Sequence, residues 1–161
     1  MILIWTKSKS PLSKVIRWTS GQDCSHFAVH FETLGLVLHS NLIGVHLSVD
    51  QDFFHEGVNV MHYKHITGMI DESAICLSMM RKIAGKGYAF LALFYFAWRT
   101  LLLHVFRAPL PEKNAWADSR QFLCTQVYDV IPDSIIPTFP HLDEKAMVTP
   151  HDLWSSCEYA T

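Results

Sequence analysis

A chain of 161 residues, half of them hydrophobic and 17% charged, is long enough to bury one substantial core and too apolar to be a disordered segment. A formal charge of −2 and a pI near 6.5 leave no basic surplus, which excludes nucleic acid as an expected partner. A single domain spanning 1–161 is therefore expected.

Residues 2–5 are apolar and β-prone, and 14–18 continue as a strand or short helix until Ser20-Gly21 breaks them. Two paired strands follow. His26-Phe-Ala-Val-His-Phe31 and Leu36-Val-Leu-His-Ser40 flank Glu32-Thr-Leu-Gly35, a short turn with its glycine where a positive φ is needed. The β-branched stretches 44–49 and 58–63 add two further strands to one antiparallel sheet. From Asp71 the period changes: Asp71 or Ser73 caps a helix of about three turns that carries Ile75, Leu77, Met79, Met80 and Ile83 until Gly85 and Gly87 stop it.

The run 88–106 is almost wholly apolar and just long enough to reach across a bilayer. Arg99 inside it costs about 2.5–3.5 kcal/mol on insertion, which favours a globular helix whose membrane or lipid contact is peripheral. Pro109 and Pro111 open a loop through Asn114. A last helix is expected from Ser119 or Phe122 to Ile131, where Pro132 ends it, and 148–153 form an ordered tail.

The cysteines, Cys24, Cys76, Cys124 and Cys157, lie far apart with no CxxC pair, which argues against a disulfide framework and for a reducing compartment. The N-terminal apolar run precedes Lys7, Lys9 and Lys14 and is too short for a secretory leader, so a cytoplasmic location is expected. An extracellular target would need another route of delivery, such as a phage particle.

Ten histidines are many for this length, and several interrupt apolar alternation. If the turn at 32–35 keeps an even loop, Ala28 faces His39, and His39 lands on the side of His26. Diagonal neighbours in a sheet are about 7–8 Å apart, within side-chain reach, so His39 can orient and polarise His26. Phe27, Val29 and Phe31 then point to the core. Cys124, in Arg120-Gln-Phe-Leu-Cys-Thr-Gln-Val-Tyr128, falls at the first turn of the expected last helix. There, free backbone N–H groups and the helix dipole stabilise a thiolate and can stabilise an oxyanion, so a thiol pKa well below neutrality is expected.

A strand histidine, a second histidine thirteen residues on and a cysteine at a helix start resemble the permuted NlpC-type branch of the papain-like cysteine amidases and peptidases. The matching pieces are Ser25-His-Phe-Ala-Val, Leu38-His-Ser-Asn-Leu-Ile-Gly-Val45, Gly87-Tyr-Ala-Phe-Leu, Phe122-Leu-Cys-Thr-Gln-Val and Val148-Thr-Pro-His-Asp-Leu, spaced so that the resemblance runs over most of the chain. The resemblance implies an α+β permuted papain-like fold, an antiparallel sheet packed against helices. It implies Cys124 as nucleophile, His26 as base and His39 as orienting third member, hydrolysing amide bonds of cell-wall (peptidoglycan) peptides through an acyl-enzyme without a cofactor. Tyr88 resembles a family tyrosine near the active site; with Thr125 and Ser25 it completes the set as a substrate- or oxyanion-contacting group. Thr125 and Gln126 depart from the serine and acidic residue common in the family.

Two rivals remain. A lecithin:retinol acyltransferase-like enzyme acting on lipid acyl esters runs the same His, His, Cys order, and the greasy 88–106 segment suits it, although Phe122-Leu-Cys-Thr-Gln does not resemble that family's Asn-Cys-Glu-His motif. A catalytically inactive papain-like binding module is the other. A zinc site of Cys24, His26, His30 and His39 lacks short ligand spacing. Cys24 as nucleophile lacks a helix dipole. His46, His55, His62, His65, His141 and His151 are expected in loops or on the surface, and Arg81, Lys82 and Lys86 on a solvated helix face.

Overall fold

The computed structural model describes residues 1–41, 43–55, 57–83, 86–107, 121–132, 135, 148–150 and 153–155. The expected loop at 109–114, together with Ser119, His141, His151 and Cys157, lies outside the described residues.

The architecture is α+β. Strands β1 (Ile2–Ser8), β2 (His26–Phe31), β3 (Leu36–Asn41), β4 (Gly44–Val49) and β5 (Val58–His65) form one antiparallel sheet in the order β4-β3-β2-β1-β5. The segment left open between strand and helix forms a helix, α1 (Pro11–Ser20). Ser10 accepts from the Ser13 N–H at its N-terminus, Pro11 supplies a preset φ, and Gly21 ends it at φ 69°. Asp71 caps α3 (Glu72–Ile83) by accepting from the Ala74 N–H at 3.0 Å. A four-residue helix, α2 (Asp50–Phe53), was too short to show a period.

The two sheet faces are covered differently. Leu3, Trp5, Phe27, Val29, Phe31 and Leu38 pack against Ile75, Met79 and Ile83 of α3, against Val127, Tyr128, Val130 and Ile131, and against Leu153. Ile4, Ala28 and Val37 point the other way and pack on Phe53. The last helix departs from expectation: after β7 (Gln121–Phe122), Cys124–Val130 is a 3₁₀ segment, held tightly because Val127, Tyr128 and Val130 are all buried on the sheet. β7 pairs in parallel with β6 (Gly87–Tyr88), which leads into α4 (Phe90–Phe106). Among the described residues no helix is long and apolar enough to cross a membrane. Gly44, at φ 124°, lets β6 approach: an added Cβ would meet the Lys86 carbonyl at 3.0 Å.

Glu72 ties α3 to the turn between β2 and β3. Its buried carboxylate accepts from the Thr33 N–H at 2.9 Å and the Thr33 hydroxyl at 2.7 Å, and it meets the Met1 amino group. Burial alone would raise its pKa, but these donors together hold the carboxyl below the ordinary 4.5. Its stabilisation is thus present above that value and lost as acid protonates it. Glu72→Gln is expected to lower stability at pH 7 by about 1–3 kcal/mol. Urea unfolding should show the gap to wild type closing as pH falls below 4.5.

Candidate active site

β2 and β3 pair with Ala28 opposite His39, the register an even turn requires; Gly35 closes that turn at φ 61°. His26 and His39 therefore share a face, their ring centroids 5.5 Å apart and nearly perpendicular. β4 continues the cluster. His46 stands directly opposite His39 with rings 4.4 Å apart, not at the surface position expected for it. The signal was available: Asn41 and Gly44 close a tight turn, and counting back from that pair sets 46 against 39.

Fixed partners surround these rings. His39 Nε2 and the Ser48 hydroxyl are 2.9 Å apart, while His39 Nδ1 is buried without a hydrogen-bond partner among the described residues. The Gly44 carbonyl can only accept, so His46 Nδ1 carries the proton at 3.2 Å and His46 Nε2 accepts from the Asn41 amide at 3.4 Å. Phe53 packs edge-on against His39 at 4.8 Å and also meets His26 at 6.3 Å. Burial first, then the neighbouring rings, depresses both pKa values: His26 to about 4, with His46 adding to the effect, and His39 to about 3, with His26 and His46 adding. Both imidazoles are neutral at pH 7.

His26, His39 and Ser48 face an open cavity of about 800 Å³ that α1 and Phe53 also line. Ser25 lines it beside His26, its hydroxyl 2.7 Å from that of Ser13. Lys9 stands exposed in the same wall.

Cys124 opens the 3₁₀ segment and is buried. The backbone N–H groups of Phe27, Thr125 and Cys124 itself lower its pKa, but burial outweighs them and pushes the thiol up to about 11. A thiol below neutrality was expected from the N–H groups alone; desolvation of a thiolate in this core reverses the sign. Gln126, where the resembled family has an acid, accepts from the Leu123 N–H at 2.8 Å and so caps the segment. Thr125 is buried beside the cysteine. The Tyr88 backbone pairs with Phe122, two residues from Cys124; its side chain lies outside the described part.

The structure brings His26 and His39 together and puts the Cys124 sulfur on the backbone amide of Phe27, the residue after His26. The segment Cys124 opens lies over the Phe27 face, where Tyr128 meets the Phe27 ring at 5.9 Å, whereas the histidines face the cavity. No hydrogen bond joins the Cys124 sulfur to either ring among the described residues. The link is the Phe27 amide, the peptide unit that follows His26. Cys24 lies in the core on the Phe27 side, and its thiol is pushed up to about 12, first by burial and then by Asp23. Among the described residues no group of three histidine, cysteine or acidic side chains is arranged to hold a metal ion. Comparison with family models, curated proteins and solved structures gives no match.

The neutral histidines set an acid limit to stability. Folded, they resist protonation down to about 4 and about 3, whereas the unfolded chain takes up these protons near 6.5. Stability is complete above 6.5 and falls as pH drops toward 4, by at most about 1.4 kcal/mol per pH unit for each ring. Chemical denaturation at a series of pH values should show this slope in wild type and a flatter one in the His26→Gln/His39→Gln variant.

Proposed function

We propose that the protein is a cysteine hydrolase of the permuted papain-like, NlpC-type kind, with Cys124 as nucleophile, His26 as base and His39 as the residue that positions His26. The observation that carries this reading is that the Cys124 sulfur is served by the Phe27 amide, whose nitrogen is covalently held about 2.4 Å from His26 Cα. The sulfur is thereby held beside the backbone of His26.

With the thiol at about 11 and His26 at about 4, the resting pair is neutral. Proton transfer ahead of the reaction is uphill, so His26 takes the thiol proton as sulfur attacks the carbonyl. The N–H groups of Cys124 and Thr125, which meet the resting sulfur, receive the charge that develops on the carbonyl oxygen. The tetrahedral intermediate collapses, His26 returns the proton to the leaving group, and water activated by His26 releases the acyl group from sulfur. The substrate proposed is an amide of a cell-wall peptide. A lipid acyl ester is the second reading, supported by the exposed apolar residues of α4.

Site-resolved alkylation by iodoacetamide, read by mass spectrometry, tests the assignment. Cys124 is expected to react faster than Cys24 and Cys76, and to slow by about tenfold or more in His26→Ala, within the usual range for loss of a general base. A Cys124 rate equal to that of Cys76 and indifferent to His26→Ala would sink it. Turnover should rise with pH through about 4 and stay level to neutrality, because the base is already free there. Turnover of a cell-wall peptide against a phospholipid chooses between the two substrates, and turnover of neither by folded protein favours a binding module.

A further inference from the structure

Helix α4 exposes Leu91, Phe94, Trp98, Leu101 and Val105, alternately three and four residues apart, so they form one stripe along its length, with Phe106 at its end exposed by 72%. Helix α1 packs against α4 and adds the exposed Val15 and Trp18, the latter exposed by 66%. Large apolar side chains gathered this way on neighbouring helices mark an interaction surface.

Charge on these helices is one-sided. Residues 1–22 contain Lys7, Lys9, Lys14 and Arg17 and no acidic residue, and 86–107 contain Lys86, Arg99 and Arg107 and again none, in a chain whose net charge is −2. Lys9, Lys14 and Arg107 are exposed. Basic and aromatic side chains in the two segments that carry an apolar stripe, with no acidic residue in either, match the boundary between anionic headgroups and acyl chains.

We propose that the adjoining outer faces of α1 and α4 dock flat on an anionic lipid bilayer. A spanning role does not fit: α4 has 17 residues, about 25 Å of helix against about 30 Å of hydrocarbon, and it ends at Arg107 with φ 53°. A second copy fits poorly as well. A two-fold contact sets the same patch against itself, bringing cations to cations with no acid on either helix to pair them. A bilayer supplies both the apolar phase and the opposite charge.

Flotation with vesicles of equal parts phosphatidylcholine and phosphatidylserine tests this, with phosphatidylcholine vesicles as reference. Wild type is expected to float with the mixed vesicles and to be released by high salt. Leu91→Gln/Trp98→Gln/Val105→Gln, which breaks the stripe at three of its five positions without changing charge, and Lys14→Gln/Arg107→Asn, which removes two charges without touching the stripe, should each weaken partitioning by about tenfold or more, since one cation near such a surface is worth about fivefold. Circular dichroism and thermal melting confirm that the variants fold. Cys124→Ala should float like wild type, because the surface does not depend on the cysteine chemistry. Failure of folded wild type to float, recovery equal on both vesicle types and insensitive to salt, or a dimer in light scattering that the triple glutamine variant converts to monomer would each overturn the proposal.

Discussion

The pleat of β2 is the constraint on which the other placements depend. β2 is the central strand of five, and its side chains alternate between two environments. Phe27, Val29 and Phe31 must enter the core under α3 and the 3₁₀ segment, so His26, Ala28 and His30 must face the other way. A one-residue slip would bury two histidines under α3 and expose three large apolar side chains, which pins the register against β1 and β3 alike. The same alternation fixes the relation of His26 and Cys124: the segment that Cys124 opens packs on the phenylalanine face, while His26 faces the cavity. What lies between them is one peptide unit.

Burial then governs the chemistry. The N–H groups around Cys124 and the neighbouring rings around His26 are ordinary pKa-shifting devices, and both are outweighed by or added to desolvation. The outcome is a pair in which neither partner is charged at neutral pH. On the proposed mechanism this makes the site a general-base hydrolase that forms its thiolate only as the carbon–sulfur bond forms, not one that stores a thiolate–imidazolium ion pair. Fixing the orientation of His26 matters more in such a site than raising its basicity. His39, held by Ser48 and wedged between His46 and Phe53, is built for that role.

Most of the sheet was legible because its determinants are local. Gly35 has the left-handed conformation its turn needs, and the alternation of 26–31 leaves one workable register, so the approach of His39 to His26 could be counted out along the chain. Asp71 and Gly21 were readable as helix ends for the same reason. Features set by packing were not. Val127, Tyr128 and Val130 satisfy α-helical and 3₁₀ spacing equally well, and only the sheet beneath them selects the tighter form. The Cys124 pKa depends on how much apolar matter surrounds the sulfur, which spacing does not reveal. His46 and Ser48 reach the cluster through the second hairpin, one pairing further than the first was followed.

Helix α1 joins the cavity to the outer surface. Pro11, Leu12, Ser13 and Ile16 line the cavity, and Leu12 and Ile16, four residues apart, project from one side of the helix. Val15 and Trp18, three apart, project from another and are exposed. Ten residues capped at both ends by Ser10 and Gly21 behave as one rigid piece, so whatever seats Val15 and Trp18 also fixes the position of Leu12 and Ile16. The helix is anchored to the sheet end by the Ser13–Ser25 hydroxyl contact, and Ser25 immediately precedes His26. The same Ser13 hydroxyl accepts from the Ser8 N–H at 3.0 Å, so α1 is tied to the end of β1 as directly as to the start of β2.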